Sequence, residues 1–95
     1  MSAYFIANVK VTNAEEYQRY ASQTLPVIAK YGGRVLVRGG KVEFSEGLWG
    51  ADRWIILEFP TPEALNRWYR SEEYQRLLEI RKRSTQTNAV AVDGV

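Results

Sequence analysis

Apolar and polar positions alternate over the nine residues from Ala3 to Val11. Phe5, Ala7, Val9 and Val11 fall on one side, and Tyr4, Ile6, Asn8 and Lys10 on the other. A period of two over that length predicts a strand with one face in a core. The period then changes. Ala14, Tyr17, Ala21, Leu25 and Ile28 recur at helical spacing, and a capping box, Asn13 with Glu16 or Thr12 with Glu15, opens the helix. The helix is predicted to run to about Tyr31 and to be kinked or restarted at Pro26, which lacks the amide that a helix interior needs. Gly32-Gly33 supplies the stop, because glycine takes the left-handed position after a helix cheaply.

Arg34 to Arg38 reads as a second strand. Gly39-Gly40 interrupts it as a bulge or sharp bend, and Lys41 to Ser45 is expected to continue in extended form. Residues 47–52 read as a turn. Arg53 to Phe59, RWIILEF, carries the strongest strand pattern in the chain. Pro60-Thr61-Pro62 ends that strand and opens a helix, with Thr61 as N-cap and Pro62 at the first helical position. Ala64, Leu65, Trp68 and Tyr69 line one side of it. Ser71 recaps a second helical segment that presents Tyr74, Leu77 and Leu78, and Arg81-Lys82-Arg83 sits where cations suit a helix C-terminus. Residues 86–93 form a last strand.

The order β-α-β-β-α-β predicts an α+β fold of the ferredoxin-like, split βαβ type: a four-stranded antiparallel sheet with the helices on one face. If Phe5, Ala7, Val9, Ile55, Leu57 and Phe59 face the helices, the other face takes Tyr4, Ile6, Asn8, Leu36, Arg38, Trp54, Ile56 and Glu58. That set is too apolar and aromatic for plain exposure, and such a patch marks an interface or a ligand groove. Its Arg, Asn and Glu do not suit a dry interface. A second sheet stacked over part of the face, with a pocket left between, satisfies both observations. A homodimer is therefore expected.

Composition narrows the chemistry. The chain of 95 residues reads as a single soluble domain over 1–95. A globule of this size buries only about 60–65% of its unfolded surface, so association would help it. There is no cysteine and no histidine. Disulfides, zinc sites, thiol nucleophiles and imidazole-dependent triads are thereby excluded. No loop clusters carboxylates for a hard cation, so no metal is expected. Haem has no histidine, cysteine or internal methionine to bind it, and no cofactor is expected. A net charge of +2, from 13 basic and 11 acidic residues, is too small an excess to imply nucleic acid. No apolar run approaches the roughly 18 residues of a membrane span, and no signal peptide is read. A cytoplasmic location is expected.

Several strings together carry a resemblance. They are Gly32-Gly33-Arg34, Val37-Arg38-Gly39-Gly40, Glu46-Gly47, Phe59-Pro60-Thr61, and Trp68-Tyr69-Arg70-Ser71 with Glu73-Tyr74-Gln75 and Arg81. The chain resembles the domain of unknown function 1330 family nearly end to end, most specifically from Phe59 through Tyr74. The resemblance implies a dimeric α/β barrel, in which two ferredoxin-like sheets pack face to face, with a pocket in each subunit. It implies no activity. Proteins sharing that fold include cofactor-independent monooxygenases, muconolactone isomerase-like enzymes, haem-binding chlorite dismutase-like enzymes and ligand-sensing domains, and fold does not transfer function among them.

The candidate site residues fall into groups, each with a structural alternative. Arg38 and Arg53 suit a clamp for a carboxylate or phosphate, with Glu46 as a base or as the group orienting an arginine; the alternative is an ion pair flanking the 47–52 turn. Trp68, Tyr69, Ser71 and Tyr74 suit a pocket wall with hydroxyl donors, Tyr74 serving in proton transfer; the alternative is helix-to-sheet packing with Ser71 as a cap. Asn8 and Trp54 would contact a ligand from the open face. Arg81, two turns after Tyr74, would reach the same mouth or remain a solvated helix-end charge. The glycine pairs lack the lysine and the helix start of a phosphate cradle. The chain is expected to bind or convert a small anionic organic molecule between sheet and helices. As an enzyme it would perform cofactor-independent oxygenation or isomerisation; the alternative is a non-catalytic metabolite-sensing or self-assembly module.

Overall fold

The computed structural model describes residues 1–95. Its elements are β1 (Ala3–Val11), α1 (Ala14–Lys30), β2 (Arg34–Arg38), β3 (Arg53–Phe59), α2 (Pro62–Arg70), α3 (Glu72–Ser84) and β4 (Thr85–Asp93). The strands form one antiparallel sheet in the order β2-β3-β1-β4. The expected ferredoxin-like arrangement is therefore present, with the second helical stretch divided in two. No helix is long and apolar enough to cross a membrane.

Local chemistry explains the boundaries. Asn13 caps α1 by accepting from Glu16 N at 3.1 Å. Thr61 caps α2 by accepting from Ala64 N at 3.1 Å, with Pro62 in the first turn. Ser71 separates α2 from α3 through both ends of its hydroxyl: Oγ donates to Trp68 O at 2.8 Å and accepts from Tyr74 N at 3.1 Å. α1 continues through Pro26 as one helix, so of the two expected outcomes, a kink or a restart, the restart does not occur. A missing amide removes one bond of the ladder, and packing of the buried stripe on either side, Thr24 and Ile28, keeps the axis going.

The core lies between the helices and one face of the sheet. Ala3, Phe5, Ala7 and Val9 of β1 and Leu57 and Phe59 of β3 are buried against Ile28, Leu65, Trp68, Tyr74, Leu77 and Leu78. Trp68 is at the centre, fully buried, with Phe5, Phe59 and Tyr74 ring centroids 5.3, 5.1 and 4.2 Å away. Such aromatic clusters add to area burial by about 0.5–1.5 kcal/mol per pair.

Two expectations about the middle of the chain are corrected. Residues 39–52 form neither strand nor helix, so the extended stretch predicted for Lys41 to Ser45 joins no ladder. The irregularity predicted at Gly39-Gly40 lies earlier. Val35 pairs with Leu57 but Val37 pairs with Ile56, which leaves Leu36 as the extra residue of a bulge. Each residue after the bulge changes face. Arg38 thus lies opposite Ile55, on the helix side, and not on the open face with Trp54.

Candidate functional site

The bulge brings Arg38 to a cavity of about 60 Å³ between α1 and the sheet. Phe5, Ala7, Val9, Ile55 and Leu57 of the sheet form one wall, and Tyr17, Tyr20, Ala21, Thr24, Leu25 and Ile28 of α1 form the other. Val35, Arg38 and Arg81 complete the lining, and no carboxylate takes part. At the liquid's share of about 30 Å³ per water, that volume holds roughly two waters. It is well below the roughly 300 Å³ at which drug-sized ligand sites begin.

Two polar atoms on this cavity lack partners. Thr24 is 6% exposed, and its Oγ1 makes no hydrogen bond. Arg81 Nε is buried and equally unpaired. An unsatisfied buried polar group ordinarily costs about 1–3 kcal/mol, so each such group in a native fold calls for a cause. Arg81 is otherwise anchored. Its Nη1 donates to Tyr74 OH at 3.2 Å, and its guanidinium lies 5.8 Å from the Phe5 ring centre. Tyr74 OH and Tyr20 OH are 2.7 Å apart. Burial pushes the Tyr20 phenol up, opposed by its bond to Tyr74, by the Arg81 charge and weakly by the neighbouring Thr24, whose hydroxyl stays outside bonding geometry. Burial pushes Tyr74 up much further, and the adjacent Tyr20 adds to the shift. Both phenols therefore keep their protons at neutral pH.

The sequence candidates divide on this geometry. Arg38 and Arg81 meet at one cavity, and Tyr74 stands behind it. Arg53 shares the helix side, but its guanidinium stacks on Tyr17, 5.6 Å from the ring centre, and borders a wider groove of about 900 Å³ beneath the 39–52 stretch. Glu46 sits on that exposed stretch, where its carbonyl accepts from Trp49 Nε1, and it does not line the Arg38 cavity. Trp68 is core, Tyr69 packs on Phe5 and Trp68, and Ser71 is a double cap. Asn8 is buried and spends both ends of its amide on Ala51. Trp54 remains on the open face, with Trp49 edge-on at 5.0 Å.

Tyr20 and Thr24 were not among the sequence candidates. They belong to a second stripe on α1, Tyr17, Tyr20, Thr24 and Ile28, beside the apolar one first read. Its spacing of three, four and four is as helical as the first. A tyrosine and a threonine in register with a buried isoleucine were the available signal.

The family model described as "Domain of unknown function (DUF1330)" matches residues 2–95. No curated protein matches the chain. Among solved structures, the chain is similar to RPA0582, a protein of unknown function from Rhodopseudomonas palustris. The TM-score is 0.79 at 19% identity, with 99% of this chain and 82% of that one covered. It is similar to a dimeric ferredoxin-like protein of unknown function from Jannaschia sp. CCS1, with TM-score 0.68, 11% identity and coverage of 99% and 100%. It is also similar to SnoaB, a cofactor-independent oxygenase from Streptomyces nogalater, with TM-score 0.67, 9% identity and coverage of 99% and 93%. At these identities the likeness is one of fold.

Proposed function

The chain belongs to the DUF1330 family of domains of unknown function, and we propose that it is a homodimeric binding protein for a small organic anion held between α1 and the sheet. One observation carries this reading. The cavity has apolar walls, two arginines, and buried polar atoms left without partners at Thr24 and Arg81, with no carboxylate among its lining. A ligand with an apolar body and an anionic end satisfies those atoms and matches the charge.

The dimer rests on the other face. Ile6, Trp54 and Ile56 lie there with Val90 and Val92, which pair with Ile6 and Tyr4 and are 59% and 48% exposed. A second copy stacked on this surface removes it from water, and the Jannaschia protein of the same fold is described as dimeric. The likeness to SnoaB favours a second reading, a cofactor-independent oxygenase. That chemistry needs a base to ionise an electron-rich substrate. The cavity lining supplies none, so binding is the better-supported function.

Native mass spectrometry beside a denaturing run tests the proposal. The expected result is a dimer carrying a small mass that is lost on denaturation, or taking up short-chain carboxylates when they are added. A monomer at micromolar concentration overturns the dimer. Failure to take up any such acid, or uptake unchanged by Arg38→Ala, overturns the site. Oxygen consumption with an added phenolic substrate would move the assignment to the enzyme.

A further inference from the structure

Arginine donates hydrogen bonds and accepts none. That property sets the direction of three side chains. Arg81 Nη1 donates to Tyr74 OH at 3.2 Å, and the Tyr74 and Tyr20 oxygens are 2.7 Å apart. Tyr74 is fully buried, and the Tyr20 oxygen is the acceptor within its reach. Were Tyr20 the donor, the Tyr74 proton would be buried with nothing to receive it, at the full desolvation penalty. The chain therefore runs from Arg81 to Tyr74 to Tyr20, and the Tyr20 proton is left for the cavity that Tyr20 lines. One helical turn on, Thr24 Oγ1 stands without a partner on the same wall.

We propose that the Tyr20 hydroxyl is the donor that selects the cavity's ligand, that Arg81 orients it through Tyr74, and that the ligand is a short-chain monocarboxylate taken up already ionised. This rests on the reading of the cavity as an anion site. Ionisation beforehand follows from the lining. No carboxylate, imidazole or amine faces the cavity to remove a proton, and both phenols are held protonated. A phenol or enol, neutral at neutral pH, would arrive with a proton that nothing there can take. A carboxylic acid arrives without one. Its oxygens accept from Tyr20, Thr24 and Arg81 together, and charge-assisted bonds of this kind are about twice as strong as neutral ones. The cavity of about 60 Å³ restricts the body to a few carbons. Tyr74 is a positioning residue in this scheme, because it acts through Tyr20.

Butyrate and its neutral isostere butyramide test the proposal, titrated into the full-length protein and followed by NMR. Wild type is expected to prefer butyrate, Tyr20→Phe to reduce that preference about tenfold, and Tyr74→Phe to reduce it by less. In wild type labelled at tyrosine Cζ, the Tyr20 signal is expected to shift with butyrate and to move little with butyramide, a readout that needs no variant to fold. A preference unchanged in Tyr20→Phe, or a Tyr20 signal indifferent to butyrate that binds, overturns the relay while leaving the anion site standing. Wild type that binds neither compound overturns both.

Discussion

Asn8 and Ala51 hold one another by two hydrogen bonds across 43 positions of chain: Nδ2 donates to the Ala51 carbonyl at 2.9 Å, and the Ala51 amide donates to Oδ1 at 3.1 Å. The side chain imitates a peptide and pins the end of the irregular 39–52 stretch to β1, just ahead of β3. Replacing it strands a donor and an acceptor of the backbone. Asn8→Ala is expected to lower stability by about 2–3 kcal/mol, from two lost bonds and the groups left unpaired. Urea denaturation measures that loss. Amide exchange should rise at Gly50, Ala51 and Asp52 more than in the helices, and equal protection in both proteins would refute the pinning role.

Ser71 resembles Asn8 in turning from a candidate ligand contact into a backbone partner. Its Oγ donates to the Trp68 carbonyl in the last turn of α2 and accepts from the Tyr74 amide in the first turn of α3. Ser71→Ala is expected to cost about 1 kcal/mol, the usual value of an N-cap. Affinity for a carboxylate should be unchanged, since Ser71 does not line the cavity. Thermal melting and a binding titration on the same sample separate the two effects, and a weaker affinity at full stability would return Ser71 to the site.

These two residues, with Arg38, show where the chain could be read and where it could not. Alternation in β1, the Thr61-Pro62 helix start and the Ser71 recap are local signals, each set by a few neighbouring residues, and all three are present in the structure. The bulge at Leu36 has no local signal. It depends on how β2 pairs with β3, and a one-residue slip there moves Arg38 from one face to the other. The local signal nearby is the glycine pair that follows, and it lies beyond the irregularity. The cavity was illegible for a related reason. Tyr20 and Thr24 come to line one cavity with Arg38 and Arg81 only because α1, α3 and the shifted β2 converge there.

Two glycines offer a matched comparison. A Cβ on Gly33 would stand 2.5 Å from Phe59 Cε1 and 2.8 Å from Ile28 Cγ2, both in the core, whereas one on Gly40 meets nothing within 4 Å. Gly33→Ala is expected to lower stability by about 1–3 kcal/mol through overpacking. Gly40→Ala should be within about 0.5 kcal/mol of wild type. Denaturant midpoints for the pair decide it, and similar values for both would mean that the Phe59 ring has room to move.

The proposed dimer can be tested without touching the cavity. Val90 pairs with Ile6 in the sheet and is 59% exposed. Placing a charge there would bury it against an apolar partner surface, which is costly without a counter-ion. Val90→Glu is expected to shift sedimentation from dimer toward monomer at a given concentration. Unchanged sedimentation would remove the open face from the interface.

Glu58 sets part of the response to acid. Its carboxylate accepts from Arg34 Nε at 2.7 Å and from Tyr4 OH at 3.0 Å. The Arg34 bond first, and the Tyr4 bond second, hold its pKa below the ordinary 4.5. A carboxyl lowered by folding stabilises the native state above its unfolded value and loses that contribution as pH falls through the folded one. Glu16, beside Arg83, and Glu73, beside Lys30, act in the same direction. Native stability should therefore decline below pH 4.5. Glu58→Gln is expected to be less stable than wild type at neutral pH. The gap should be modest, because Arg34 is exposed and solvent screens the pair. As the pH drops below the ordinary carboxylate value, wild-type Glu58 protonates and the gap should close. Denaturation midpoints measured from neutral to strongly acidic pH follow both proteins. A gap that stayed constant over that range would show that Glu58 acts through packing and not through its charge.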